Sequence, residues 1–362
     1  MWIHIVLLIS ICAVGGVCYS NGVSPRKNKI FLIVSLTLIF FVQGFRRLDV
    51  GIDTPTYVSG FYRINLIENS FEKTRWEPLY VLINQLIWNV SENHQILLIV
   101  VSIIILSGFG VFIYHNVPKN NSAFWPIFFF MTLNHYFTSM VSLRQYCALA
   151  IGINIYTVLN NTDDKRKWLK AVILLIVSVM FHQSAICLVL LMIFCGMRKF
   201  TKEKIIGFSI LGVAVFFLFD VLLKIAFLIL PVYQGYAESG KKFEGVALSE
   251  INTVFLILKV IVCVLAFKLN ESNVENQKLL KLVAISFVGI LISLLTTKVQ
   301  LIWRFGYYYD VFLIILIPEF LNHFRKEKIL GYSFLFIIGW IYYIVLMKMN
   351  YSQCIPYYFC WK

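Results

Sequence analysis

The chain has 362 residues, of which 60% are hydrophobic and 14% charged, and its mean hydropathy is +0.80. Soluble domains carry about 45–50% apolar residues, so a soluble globular domain is excluded and an integral membrane protein is implied. The formal net charge of +14 would suggest a nucleic-acid partner in a soluble protein. Here much of the excess sits in short loops between apolar runs, as expected for basic loops kept in the cytoplasm, and no nucleic-acid partner is expected.

A helix needs about 20 apolar residues to cross a bilayer, within a range of roughly 17–25. Candidate runs lie near 2–19, 30–45, 96–114, 124–140, 143–160, 169–196, 205–230, 251–268, 281–299, 306–322 and 331–349. The first lacks a basic leader and reads as a span rather than a cleaved signal. The expected fold is all-α, a polytopic integral membrane protein of about 10–12 transmembrane helices in a single integral membrane domain over 1–362. The connectors Arg26-Lys27-Asn28-Lys29, Lys165-Arg166-Lys167, Arg198-Lys199 with Lys202 and Lys204, and Arg325-Lys326 with Lys328 are assigned to the cytoplasm.

Crossings between two cytoplasmic loops must be even in number. The run 169–196 is too long for one untilted span, so a break near His182 is expected, leaving arms of about 13 residues, or roughly 20 Å of helix each. Irregular backbone at that depth needs protein or a wet cavity around it, so this short broken hairpin should hold His182 against water. Parity also requires that one segment between the Arg46 loop and Lys165 not cross. The weakest is 76–90, which carries Glu77, Asn84, Gln85 and Asn89 and reads as an amphipathic helix on the outer surface. Loops 46–75 and 231–250 are then extracytoplasmic; the second offers Tyr233, Tyr236, Lys241 and Lys242 for carbohydrate or head-group contact.

Polar clusters at 46–53, 75–78, 142–145, 181–184, 241–242 and 303–307 fall on that outer side. Arg144 is the one charge between Phe124 and Leu159 and needs a counter-ion or a polar cavity; its two-pronged guanidinium suits phosphate. Arg304, between Trp303 and Phe305, reads either as a ligand contact or as an interfacial anchor. His182 reads as a satisfied core histidine or as an acid/base or phosphate contact. Asp53, after Gly51 and before Pro55, reads as a helix cap or a functional carboxylate, and Glu77 before Pro78 as a helix-start acid or a functional one. Asp220 and Lys224, four apart, read as a structural pair. Six of the eight cysteines lie in apolar runs; Cys354 and Cys360 would pair if their segment faces an oxidising compartment. With no phosphate-binding glycine loop, nucleophile elbow or zinc-ligand spacing, neither metal nor cofactor is expected.

Taken in order, Arg46 to Tyr57 with Gly51-Ile52-Asp53, Glu77-Pro78, Arg144-Gln145 with Ala148, Phe181-His182 with Ser184-Ala185, Arg304 before Tyr307-Tyr308, and Pro356-Tyr357 resemble the pattern of the EpsG family of Wzy-like polysaccharide polymerases. The resemblance implies a glycosyltransferase of the bacterial cell membrane, multi-pass and with its site facing outside, which joins undecaprenyl-diphosphate-linked oligosaccharide units into a surface polysaccharide. Arg144 and Arg304 would contact diphosphate; Arg47, Gln145, Tyr57, Lys241 and Lys242 complete the expected substrate-binding set; His182, Asp53 and Glu77 are the catalytic candidates. Partners implied are the lipid-linked oligosaccharide, membrane lipids and a chain-length regulator. A flippase for lipid-linked oligosaccharides is the alternative, since it too needs cations against diphosphate, although it should line a path through both leaflets. A ligase or O-acyltransferase of envelope glycans is a third reading.

Overall fold

A computed structural model of the protein describes residues 1–67, 74–118, 120–161, 163–197, 201–229, 250–269, 276–324 and 328–361. Its described elements are all helical, and the chain divides into two compact units, Met1–Val189 with Phe324–Lys362, and Leu190–His323. Each is described by itself.

The first unit runs α1 (Trp2–Tyr19), α2 (Pro25–Gly44), α3 (Thr54–Leu66), α4 (Pro78–Trp88), α5 (His94–Asn116), α6 (Phe124–Thr132), α7 (His135–Val141), α8 (Leu143–Gly152), α9 (Asn154–Asn160) and α10 (Lys167–Phe181). A 3-10 turn, Gln183–Cys187, leads to α11 (Leu188–Gly196), within which the division falls. The second unit continues with α12 (Lys202–Ile229), α13 (Glu250–Leu269), α14 (Gln277–Leu295), α15 (Trp303–Asp310) and α16 (Leu313–Leu321), and α17 (Lys328–Met349) belongs to the first.

The starts follow local chemistry. Ser24 accepts from the Lys27 N–H at 3.3 Å with Pro25 next in line, Asn93 accepts from the Gln95 N–H at 2.9 Å, and Asn276 accepts from the Lys278 and Leu279 N–H groups. Each side-chain oxygen satisfies a backbone donor that the first helical turn leaves unpaired.

Six described helices, α1, α2, α5, α12, α14 and α17, are each long and apolar enough to cross a membrane, and the pair Gln300–Asp310 and Leu313–Leu321, bent by 44°, brings the count to seven. The protein is thus a multi-pass membrane protein, with six to seven such spans among the described residues. The runs 124–140 and 143–160 are interrupted, the first at Asn134, whose φ of 69° is left-handed, and the second at Ile153, while Ser142 separates them. The run 169–196 breaks at His182, where the backbone is extended at φ −161° and ψ 122°. The segment expected to lie flat forms α4 over Pro78–Trp88; at about 16 Å it is too short for the roughly 30 Å hydrocarbon layer.

Within the first unit α2 packs on α5, and α8 packs on both α5 and α10. Arg46 is 1% exposed. Its guanidinium donates to the Gln43 carbonyl oxygen, in the last turn of α2, and to that of Met140, in the last turn of α7, at 3.0 Å. Two helix C-termini, each carrying partial negative charge, thus face this buried cation.

The segment after α17 docks on the loop after α2. Arg47 N–H donates to the Tyr358 carbonyl at 2.9 Å, Gly51 N–H to that of Gln353 at 2.9 Å, Ile52 N–H to that of Ser352 at 3.0 Å, and Cys360 N–H to that of Phe45 at 2.9 Å. Cys354 and Cys360 are free thiols rather than a disulfide: Cys354 is buried, its Sγ 3.6 Å from the Ser352 oxygen, and Cys360 is exposed.

In the second unit Asp220 pairs with Lys298 at 2.5 Å rather than with Lys224, because α12 is tied to the end of α14 instead of along its own surface. Lys259 on α13 and Asp310 at the end of α15 form a largely buried pair at 2.7 Å. Gly289 on α14 permits it: a Cβ there would stand 2.6 Å from Asp310 Oδ1.

Candidate functional site

Ser142 separates α7 from α8, and this break puts Arg144 in the first turn of a new helix. Glu77 occupies the residue before Pro78, at the start of α4, but its side chain makes no capping bond. Its carboxylate turns to Arg144 instead: Arg144 Nη1–H donates to Oε2, while the backbone N–H of Gln183, just past the His182 break, donates to Oε1 at 3.2 Å. Glu77 is 7% exposed, so both carboxylate oxygens are occupied within the protein interior.

The face of the guanidinium is covered by aromatics. Arg144 Cζ lies 5.3 Å from the Trp76 ring centre, within the range of a cation–π contact. Trp76 packs against Tyr57 at 5.8 Å and Tyr80 at 5.3 Å, and Tyr57 interacts with Arg144 through its hydroxyl. Gly60 on α3 makes room for this indole; a Cβ there would overlap the Trp76 ring. The Arg144 Nε–H is buried without a hydrogen-bond partner, so part of the fork's donor capacity is unused.

His182 stands at the end of α10. Its Nδ1 accepts the backbone N–H of Ser184 at 3.2 Å and lies 2.6 Å from the Ser184 hydroxyl oxygen. The ring thereby caps the 3-10 turn that carries Gln183. Segments 67 and 106 positions from Glu77 are thus gathered around one carboxylate.

The other expected residues are distributed as follows. Tyr57 is buried beside the cluster, and Gln145 is buried in α8 next to Arg144. Asp53 sits at the start of α3, exposed and without a side-chain cap bond, so the capping reading fails; Tyr57 lies one turn on, its N–H donating to the Asp53 carbonyl at 3.1 Å. Arg47 makes a two-pronged contact with Asp49, at 2.8 and 2.6 Å, and stacks on Tyr358 at 4.2 Å. The Arg47 guanidinium holds the Asp49 carboxyl below the usual carboxylate range. Arg304 opens α15 in the second unit, its Cζ 5.8 Å from the Trp303 ring centre. Lys241 and Lys242 lie outside the described residues. Among the described residues no group of three or more His, Cys, Asp or Glu could hold a metal ion.

Sequence reading missed the role of Trp76 as the plate beneath Arg144 and the Gln183 N–H as a ligand of Glu77. An aromatic directly before an acid-proline pair was the available signal for the first; nothing in the sequence points to a particular peptide N–H. Lys259 and Asp310 were missed as well, although each is an ionisable residue within an apolar run, a costly position without a partner.

The profile of the EpsG family matches residues 29–359, nearly the whole chain. The chain belongs to the EpsG family. Members of this family are Wzy-like polysaccharide polymerases, so the matched stretch contains every residue of the Arg144 cluster and the loop bearing Asp53. No curated protein and no solved structure matches the chain. EpsG-family membership indicates a polysaccharide polymerase role and a lipid-linked oligosaccharide substrate.

Proposed function

We propose that this EpsG-family protein joins undecaprenyl-diphosphate-linked oligosaccharide units at the extracytoplasmic face of the bacterial cell membrane. A hydroxyl of one unit attacks the anomeric carbon of another, the bond from that carbon to the diphosphate oxygen breaks, and the diphosphate leaves with the electron pair while the hydroxyl proton is removed. Cations placed where that charge develops, in a low-dielectric pocket, are often the largest contribution to such a reaction, and proton removal typically adds 10²–10⁴-fold.

The observation that carries this reading is Arg144 itself, a guanidinium held in place by Glu77 and Trp76 with a buried N–H to spare. Arg304, Arg47, Gln145, Tyr57, Lys241 and Lys242 are assigned to binding of diphosphate or glycan, and Asp53, Glu77 and His182 are the candidates for proton transfer. The distribution of basic loops supports the outward orientation. The lipid diphosphate is already activated, so the chain needs no nucleotide.

Purified protein in bilayers, given a defined lipid-linked repeat unit, should yield a ladder of longer lipid-linked chains. Arg144→Lys should lower extension at least about 100-fold with undiminished protein, since a point charge cannot replace a fork. Translocation of the unit without any ladder would refute the polymerase reading in favour of the flippase.

A further inference from the structure

The segment after α17 forms one wall of a cleft. Asn350 follows that helix with a left-handed φ of 47° and clamps the next turn: its Nδ2–H donates to the Ile355 carbonyl at 2.5 Å, and its Oδ1 accepts the Ile355 N–H at 3.1 Å. The Ser352 carbonyl is held in turn by the Ile52 N–H at 3.0 Å. Tyr351 and Ser352 are therefore presented on a fixed support. The other wall is the break between α6 and α7, where Asn134 takes a φ of 69°, a conformation that asparagine adopts more readily than most residues. Asn134, Phe137, Met347, Tyr351 and Ser352 all line this partly open cleft, which measures about 290 Å³ with its mouth included.

Its lining selects by chemistry. No charged side chain contributes to it among the described residues, so an ion finds no counter-charge there. The Asn134 amide and the Ser352 hydroxyl make no side-chain hydrogen bond with described residues, so a purely apolar guest such as an acyl chain would strip them of water without replacing the bonds. A neutral polyol suits both halves of the wall. Its hydroxyls can exchange hydrogen bonds with an amide and a hydroxyl, and its C–H face can cover the ring of Tyr351, which is 70% exposed.

We infer that this cleft is a saccharide subsite that holds one neutral sugar ring of the lipid-linked oligosaccharide, with Asn134 and Ser352 bonding its hydroxyls and Tyr351 as the stacking surface. This rests on the polymerase reading above, which assigns the diphosphate to Arg144. Asn134 directly precedes α7, and Arg144 comes just after Ser142, which ends it. With 7 residues α7 is about 10 Å long. One short stretch of chain thus serves the sugar and the diphosphate of the same substrate.

Equilibrium binding without turnover tests this, with two probes: the lipid-linked oligosaccharide extracted from cells that make the protein, and undecaprenyl diphosphate, which has the same lipid and no sugar. Wild type should hold the first at least about 10-fold more tightly than the second, as two or three neutral contacts would provide. Ser352→Ala, Tyr351→Ala and Asn134→Gly should each weaken binding of the oligosaccharide lipid about 3- to 10-fold, the range for one such contact. Glycine keeps the left-handed backbone at 134, and Tyr351 is exposed, so neither change should disturb the fold. Affinity for undecaprenyl diphosphate should stay within about twofold in all three variants. Equal affinity of wild type for the two lipids would overturn the inference, and so would wild-type affinity for the oligosaccharide lipid in both Tyr351→Ala and Ser352→Ala. Equal losses for both lipids would overturn it as well, because they mark a disturbed fold rather than a lost sugar contact. If binding follows the expected pattern yet no ladder forms, the polymerase reading fails and the subsite stands; a ladder from wild type with unchanged binding in the variants removes the subsite alone.

Discussion

Glu77 ties Arg144 to the peptide N–H of Gln183, so a single carboxylate fixes the start of α8 to the break after α10. Removing one partner of a largely buried pair leaves an uncompensated charge and typically costs about 3–5 kcal/mol, whereas replacing both with apolar groups is close to neutral. Glu77→Leu should therefore lower the unfolding midpoint in detergent far more than Glu77→Leu combined with Arg144→Leu, and the double variant should recover stability without recovering chain extension. A single-variant cost below about 1 kcal/mol would mean that water screens the pair as it does at a surface.

The indole beneath Arg144 has a separate, smaller effect. Trp76→Ala should raise the KM for lipid-linked donor about 3- to 10-fold, as expected for a cation–π contact of about 0.5–2 kcal/mol. Gly60→Val, which displaces that ring, should do the same. The two substitutions together should be no worse than either alone; additive losses would show that Gly60 acts through something other than Trp76.

Arg46 has a structural role. Its replacement by Leu leaves the Gln43 and Met140 carbonyls without their donor, at about 1–3 kcal/mol each. Arg46→Lys cannot span both oxygens and should rescue only part of the loss. Thermal unfolding in detergent measures this, and a wild-type midpoint for Arg46→Leu would show that the two helix ends find other partners.

Acid should loosen the Arg47–Asp49 contact only well below neutrality. The Asp49 carboxyl is held below its ordinary value by Arg47, so the pair's contribution is complete above about pH 4, the unfolded carboxylate value, and is lost as pH falls through the lower folded one. Protease sensitivity of the 45–52 loop and its docked partner segment should be constant from pH 5 to 8. A transition within that window would implicate another group.

Length and hydropathy made the membrane class and most helix positions readable, because a bilayer demands long apolar runs. The break at His182 was legible for the same reason: 169–196 is too long for one span. The breaks at Asn134 and Ser142 were not, since they depend on single backbone conformations that apolar patterning does not encode. Of the site, Arg144 and Glu77 stood out as charges near span ends, but their pairing across 67 positions is a tertiary fact. The same applies to Asp220, for which helical spacing suggested Lys224 while the fold supplies Lys298.

The loop bearing Asp53 completes its backbone pairing only with residues from 352 to 360, made long after it during synthesis. Until those strand-like partners emerge from the ribosome, Gly51 and Ile52 have no acceptors to meet. The first helices of the nascent protein are therefore made before this loop can close, and its closure waits on the last residues of the chain.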